Sequence, residues 1–185
     1  MSLVLQQISA DQVPNSCQET EWLRLQGITL FDPCKEMILP RLAFKYVKEM
    51  RSIMEANAGC GLAANQVGLR IPLFLFTRND GQVLTAYKPK ILVKIGDLTK
   101  SKEGCLSFPD FEAMMLRHRR IQVTFCAYPN GKFKTLDLTD QEAFTFQHEL
   151  DHLKGRTIVD PYRAYYLHNL SELRSENEKA DSGVR

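Results

Sequence analysis

The stretch Gln147-His148-Glu149-Leu150-Asp151-His152-Leu153 constrains this chain more than any other. Two histidines four apart on a helix project from one face, one turn apart, and a glutamate directly after the first reaches a water on a shared metal. Flanking residues predict that helix. Thr139-Asp140-Gln141-Glu142 reads as a capping box, and Gly155 is placed to end the helix after Lys154. Ala143, Phe146, Leu150 and Leu153 recur at helical spacing, so the element is expected in the core with its histidines aimed at a cleft. By average composition, a chain of this length carries H-E-x-x-H by chance about one time in a hundred or less.

Bulk properties narrow the setting. A chain of 185 residues, 44% of them apolar, can bury one substantial core, so one domain spanning residues 1–185 is expected. A formal charge of +2 argues against a nucleic-acid surface, and direct DNA binding is not expected. Cys17, Cys34, Cys60, Cys105 and Cys126 are odd in number without paired spacing, which fits free thiols in a reducing compartment, or a thiolate on a metal. No apolar run approaches the roughly 20 residues needed to span a bilayer. The first residues resemble neither a secretory nor an organellar signal, so a cytoplasmic protein is expected, with no membrane partner.

Residues 1–35 are the least legible, with short strands conceivable at Trp22-Leu23-Arg24-Leu25 and Ile28-Thr29-Leu30-Phe31. From Pro40, the residues Ala43, Tyr46, Val47, Met50, Ile53 and Met54 repeat with helical period, which predicts a packing helix ended near Asn57 and Gly59. Strands are predicted at 71–77, 83–87, 91–95, 121–127 and 132–138. Asn79-Asp80-Gly81 and Pro129-Asn130-Gly131 mark turns between them. The expected class is α+β, with mostly antiparallel sheets packed around the central metal-binding helix. Beyond Pro161, the residues Tyr165, Leu167, Leu170 and Leu173 predict a short terminal helix, and 175–185 a frayed tail.

Two histidines do not complete a metal site. A catalytic centre of this type needs a third protein ligand and an open position for water or substrate. The longer protease pattern with a third histidine fails, because Thr157 and Ile158 occupy the region where it would fall. His118 lies in the basic run Arg117-His118-Arg119-Arg120, which reads better as a solvated edge, and His168 reads as a surface residue of the terminal helix. Cys105, between Gly104 and a Ser-Phe-Pro turn, can present its sulfur at a fixed angle, although such a cysteine is more often a small buried hydrophobe. Around Gly59-Cys60-Gly61-Leu62-Ala63-Ala64-Asn65-Gln66, small residues let backbone approach a ligand, or else form a tight turn between helices. Gln66 adds an uncharged donor.

Together these stretches resemble the peptide deformylases. Residues 59–66 fit that family's first motif, G-φ-G-φ-A-A-x-Q; Glu103-Gly104-Cys105-Leu106-Ser107 fits E-G-C-φ-S; and His148-Glu149-Leu150-Asp151-His152 fits H-E-φ-D-H, in the family's order and within roughly residues 40–160. The resemblance implies removal of the formyl group from N-formylmethionine at the start of newly made polypeptides. It implies one divalent metal ion on Cys105, His148 and His152, ferrous iron in typical members, with zinc or nickel able to substitute. Glu149 would carry the proton, with the Gln66 amide and the Leu106 N–H as oxyanion donors. Gly61 and Leu106 would form a tight wall and a backbone edge for the substrate, and Phe144 with Leu106 an apolar methionine pocket. Asp151 is expected to pair with Arg117, and Glu103 to brace its loop. A transient ribosome contact stays open, although the tail lacks the basic excess that ribosomal RNA would call for.

Three departures stand out: Cys60 in place of an apolar residue, Glu112 where bacterial enzymes commonly carry arginine, and Lys88-Pro89 in place of Asn-Pro. The rival readings are a general zinc endopeptidase, whose metal would not need Cys105, and a non-catalytic metal-dependent binding protein, which would release no formate.

Overall fold

The computed structural model describes residues 2–9, 12, 26–35 and 38–159. The expectations for Trp22–Leu25, Cys17, His168, the terminal helix and the tail lie outside that range. Pro40 opens α1 (Pro40–Ala43), which passes through one tighter turn (Phe44–Tyr46) into α2 (Val47–Ala56). Ala43, Val47, Met50 and Met54 are buried, as their spacing demands, and Lys45, Lys48 and Arg51 face outward. Ala58, at φ 52°, makes the left-handed residue that ends α2. Gly59 is small for another reason: a side-chain carbon there would lie 2.6 Å from Leu106 Cδ1.

Five strands follow: β1 (Gly61–Ala63), β2 (Leu73–Thr77), β3 (Val83–Cys105), β4 (Phe108–Ala127) and β5 (Lys132–Thr139). They form one antiparallel sheet in the order β1-β2-β3-β4-β5. Both predicted turns are where their Gly residues placed them, with Gly81 and Gly131 at positive φ. The small-residue segment is a strand plus a short 3-10 turn (Ala64–Val67), which excludes a turn between helices.

Two expectations need correction. The separate strands at 83–87 and 91–95 belong to one 23-residue strand, and β4 begins at Phe108, well before residue 121. Irregularities in the β3–β4 pairing, between Tyr87 and Lys90 and between Ile95 and Leu98, absorb the proline and glycine that read as breaks. Ile28–Phe31 forms a turn. Asp32 N–H donates to Thr29 O at 2.9 Å, and the Thr29 N–H donates to Gln6 Oε1 at 3.0 Å, so side chain and turn take the bonds a strand would need.

The metal-motif helix, α3 (Asp140–His152), starts after Thr139, whose N–H is accepted by Glu142 Oε1 at 3.3 Å. It ends two residues earlier than expected, with Gly155 at φ 71° closing the following turn. β2, buried from Leu73 to Phe76, divides its side chains between two layers. Leu73 and Leu75 pack with Met50, Met54 and Tyr87 on the α1–α2 side, and Phe74 and Phe76 pack with Phe125, Ala143 and Phe146 under α3. The Phe146 ring meets Phe74 at 4.9 Å and Phe76 at 5.3 Å, both edge-on. On the α3 side Gln147 ties helix to sheet, donating to His118 O at 2.8 Å and accepting the His118 N–H at 3.1 Å. The turn of α3 that carries His148 is thereby fixed against the sheet.

Candidate active site

Cys105 is the last residue of β3, paired with Phe108 across a two-residue hairpin tip made by Leu106 and Ser107. The tip lies over α3. Cys105 Sγ is 3.2 Å from His152 Nε2, which is 3.1 Å from His148 Nε2, and the three donor atoms all fall within 4.8 Å of one another. All three residues are buried. Bond lengths of about 2.0–2.3 Å in a tetrahedral centre put its nitrogens about 3.3 Å apart and sulfur and nitrogen about 3.6 Å apart. Two of the three separations, 3.2 and 3.1 Å, are close to those of ligands around one ion. The donors also suit it chemically, since a sulfur and two ring nitrogens at this distance repel unless a cation or proton lies among them.

Glu103 does more than brace a loop. Its Oε2 is 3.0 Å from His148 Nδ1, which directs the His148 proton outward and leaves Nε2 free as a ligand. Arg117 grips both Glu103 oxygens, at 2.9 and 2.8 Å, and Asp151 Oδ2 at 2.5 Å, as expected for that last pair. Burial alone would raise the Glu103 pKa, but Arg117 and His148 outweigh it and hold the carboxyl down at about 2. Burial likewise opposes charge on Arg117, and its two carboxylates hold it protonated. His148 and His152 divide. Burial disfavours charge on both, yet hydrogen bonding to Cys105 and Glu103 carries His148 well above the usual imidazole value. His152 falls well below, pressed further by the charges of His148 and Arg117.

Glu149 is 3% exposed, and its Oε2 has no hydrogen-bond partner among the described residues. Burial pushes its carboxyl up to about 7, into the range useful for proton transfer at neutral pH. It lies against Gly61: a side-chain carbon there would come within 2.8 Å of Glu149 Cδ. That close approach is why glycine stands at 61. Gln66 is pinned by the Ala63 N–H, which donates to its Oε1 at 2.8 Å. Its Nε2 is thereby turned to Ser107 Oγ at 3.1 Å and Cys105 Sγ at 3.7 Å.

Gly61, Gln66, Cys105, Leu106, Phe144 and Glu149 line one cavity of about 440 Å³, within the range of small-ligand sites. The residues given metal, proton-transfer or substrate roles in the sequence therefore converge here, except His152, which is fully buried behind the lining and reaches it through Cys105 and His148. A larger hollow of about 720 Å³ around Lys90, Lys94 and His118 holds none of the three donors. His118 itself is half-buried with Nδ1 3.1 Å from Gly96 O, away from the site. Cys60 is exposed at the cavity mouth, and Glu112 pairs with Lys102 at 2.7 Å across the hairpin. Ser107, fully buried against Gln66, went unassigned in the sequence, where only its place in the second motif marked it.

A buried thiol and two imidazoles beside a buried carboxyl, at a cavity in an α+β fold, are the equipment of a mononuclear metal-dependent hydrolase. Residues 24–166 match the model of the polypeptide deformylase family. Similar curated proteins include the peptide deformylase of Borreliella burgdorferi, 36% identical over 63% of this chain and 71% of that protein. That of Aquifex aeolicus is 34% identical over 64% and 72%. A crystal structure of a probable peptide deformylase from Synechococcus phage S-SSM7 superposes with TM-score 0.69, at 29% identity, covering 86% of this chain and 99% of that one. The chain belongs to the polypeptide deformylase family, metal-dependent hydrolases that remove the N-formyl group from newly made peptides. No helix among the described residues is long and apolar enough to cross a membrane.

Proposed function

We propose that Cys105, His148 and His152 hold one divalent ion, ferrous iron first and zinc or nickel as substitutes, and that Glu149 moves the protons of formyl hydrolysis. The observation that carries this reading is the convergence of the three donor atoms within 4.8 Å beside a buried carboxyl whose Oε2 has no partner among the described residues. One thiolate with two imidazoles suits these borderline ions better than the hard cations that prefer oxygen. Bound there, such an ion supplies Lewis acidity, bringing the attacking water within reach of deprotonation near neutral pH.

The chain's own residues do the rest. Glu149 takes the proton of the attacking water and returns it to the amine that leaves, a shuttle that a carboxyl of pKa near neutrality serves in both directions. The Gln66 Nε2 and the Leu106 N–H donate to the oxyanion as the carbonyl becomes tetrahedral. Gln66 is set for this before substrate arrives, because its other amide atom is already held by Ala63. Gly61 and Leu106 form the wall that admits hydrogen on the carbonyl where larger acyl groups carry carbon, and the Gly61 backbone pairs with the extended peptide. Phe144 and Leu106 line the methionine pocket.

We read the whole chain as one catalytic unit that works in the cytoplasm on N-formylmethionyl peptides, meeting the ribosome only transiently and binding no DNA. The test is formate release from a formyl-Met peptide by anaerobically purified, iron-loaded protein, beside an acetylated control. Release from the formyl peptide alone is expected, with loss of at least a hundredfold in Glu149→Gln. Equal cleavage of both peptides, or no formate at all, overturns the reading. Metal content unchanged in Cys105→Ala would instead favour an endopeptidase-like centre.

A further inference from the structure

The supports of the three donors are unequal. His148 has Glu103 on its Nδ1 and Cys105 is fixed by its hairpin, but His152 Nδ1 is buried with no hydrogen-bond partner among the described residues. A histidine that ligates through Nε2 carries its proton on Nδ1, and buried N–H groups need an acceptor. One side chain from another element grips His152. Asn65, fully buried in the turn after β1, donates from Nδ2 to His152 O at 2.5 Å and to Leu30 O at 3.0 Å. Its own carbonyl accepts from Thr29 Oγ1 at 2.7 Å, so backbone and amide are both held.

The amide oxygen is the unusual part. Asn65 Oδ1 is buried and unpartnered among the described residues, an unfavourable state for an amide acceptor. An orphaned acceptor and an orphaned imidazole nitrogen thus belong to two residues already joined by a hydrogen bond.

We propose that Asn65 is a positioning residue for the metal centre: its Nδ2 fixes the carbonyl of His152 at the end of α3, and its Oδ1 accepts the Nδ1 proton of His152 when that ring ligates. The proposal rests on Cys105, His148 and His152 being the ligand set. The bland alternative is that Asn65 only staples residues 29–32 to the helix.

Cobalt(II) titration of the chelator-stripped full chain under anaerobic conditions separates the two. In the wild type, a thiolate-to-cobalt charge-transfer band reports the ligand set; its absence would sink that reading and leave Asn65 aside. Given the band, Asn65→Ala is expected to bind cobalt ten- to a hundredfold more weakly and to shift its ligand-field bands. Thr29→Val, which removes the bond to the Asn65 backbone carbonyl and spares its amide, lowers the melting temperature but leaves cobalt affinity and spectrum unchanged. Asn65→Ser, which keeps a short donor and acceptor, recovers part of the affinity, and it carries the comparison if Asn65→Ala does not fold. Wild-type cobalt affinity and bands in the folded Ala variant, or in the Ser variant where Ala does not fold, would reduce Asn65 to a staple and overturn the proposal.

Discussion

Glu149 is the residue at which stability and function pull hardest against each other. Its carboxyl stands at about 7 in the fold against an ordinary 4.5, because burial disfavours the charge. The native state therefore holds this proton more tightly than the unfolded chain, and stability falls as pH rises from about 4.5 to about 7. The full shift is worth about 3 kcal/mol. In metal-free protein, Glu149→Gln should remove that dependence. Urea unfolding should show the variant gaining on the wild type by up to about 3 kcal/mol between pH 5 and pH 8; a gap that does not change with pH would contradict the buried, unpaired carboxyl. Gly61 shows the same site from the other side. A methyl group there collides with Glu149, so Gly61→Ala should displace the carboxylate by a fraction of an ångström or more. A misplacement of about 1 Å can cost about a hundredfold. The expected result is a loss of ten- to a hundredfold in kcat for formate release with metal content intact, read from paired activity and metal analyses.

At the scale of elements, the helix α3 is located by what happens after it. Gly155 has φ 71° and donates its N–H to His152 O at 2.8 Å, while Cys34 N–H donates to Leu153 O and Pro33 bridges Lys154. Its Cα faces the backbone of Phe31 and Pro33, where a side-chain carbon would lie 2.9 Å from Phe31 C and 3.0 Å from Pro33 N. Backbone cannot retreat as a flexible side chain can. Gly155→Ala should therefore cost about 2 kcal/mol or more, from left-handed strain plus the clash, measured by chemical denaturation. Because the same turn fixes the end of the helix that bears His152, metal affinity should fall with stability. In Gly81→Ala, where φ is also positive but nothing lies within 4 Å, only the strain should register.

Across the whole molecule, what could be read from the sequence was what is local. The H-E-x-x-H helix, its cap and its glycine stop lie within seventeen residues, and their spacing alone points His148 and His152 the same way with Glu149 beside them. The far part of β3 was hidden because its inward residues are polar. Ser101 and Glu103 are buried while Lys100 and Lys102 are exposed, so alternation of apolar with polar residues gives no strand signal. That inverted pattern exists to bring Arg117, Glu103 and Cys105 over the helix, and no local rule predicts a pairing between residues 103 and 148. At the site the hairpin meets the helix through the contacts of Arg117 with Asp151 and of Glu103 with His148, so a metal there acts as a further cross-link between them. A ligand that binds only the folded chain stabilises it by about 2.7 kcal/mol at a hundred times its dissociation constant. At about 2–4 °C per kcal/mol for a chain of this size, zinc at that excess should raise the melting temperature by about 5–10 °C, and a chelator should reverse it. Cys105→Ala should lose nearly all of that increment while melting near the metal-free wild type, since a buried thiol exchanged for a methyl group removes little packing. An equal metal-dependent rise in that variant, followed by calorimetry, would mean that the hairpin tip does not hold the ion.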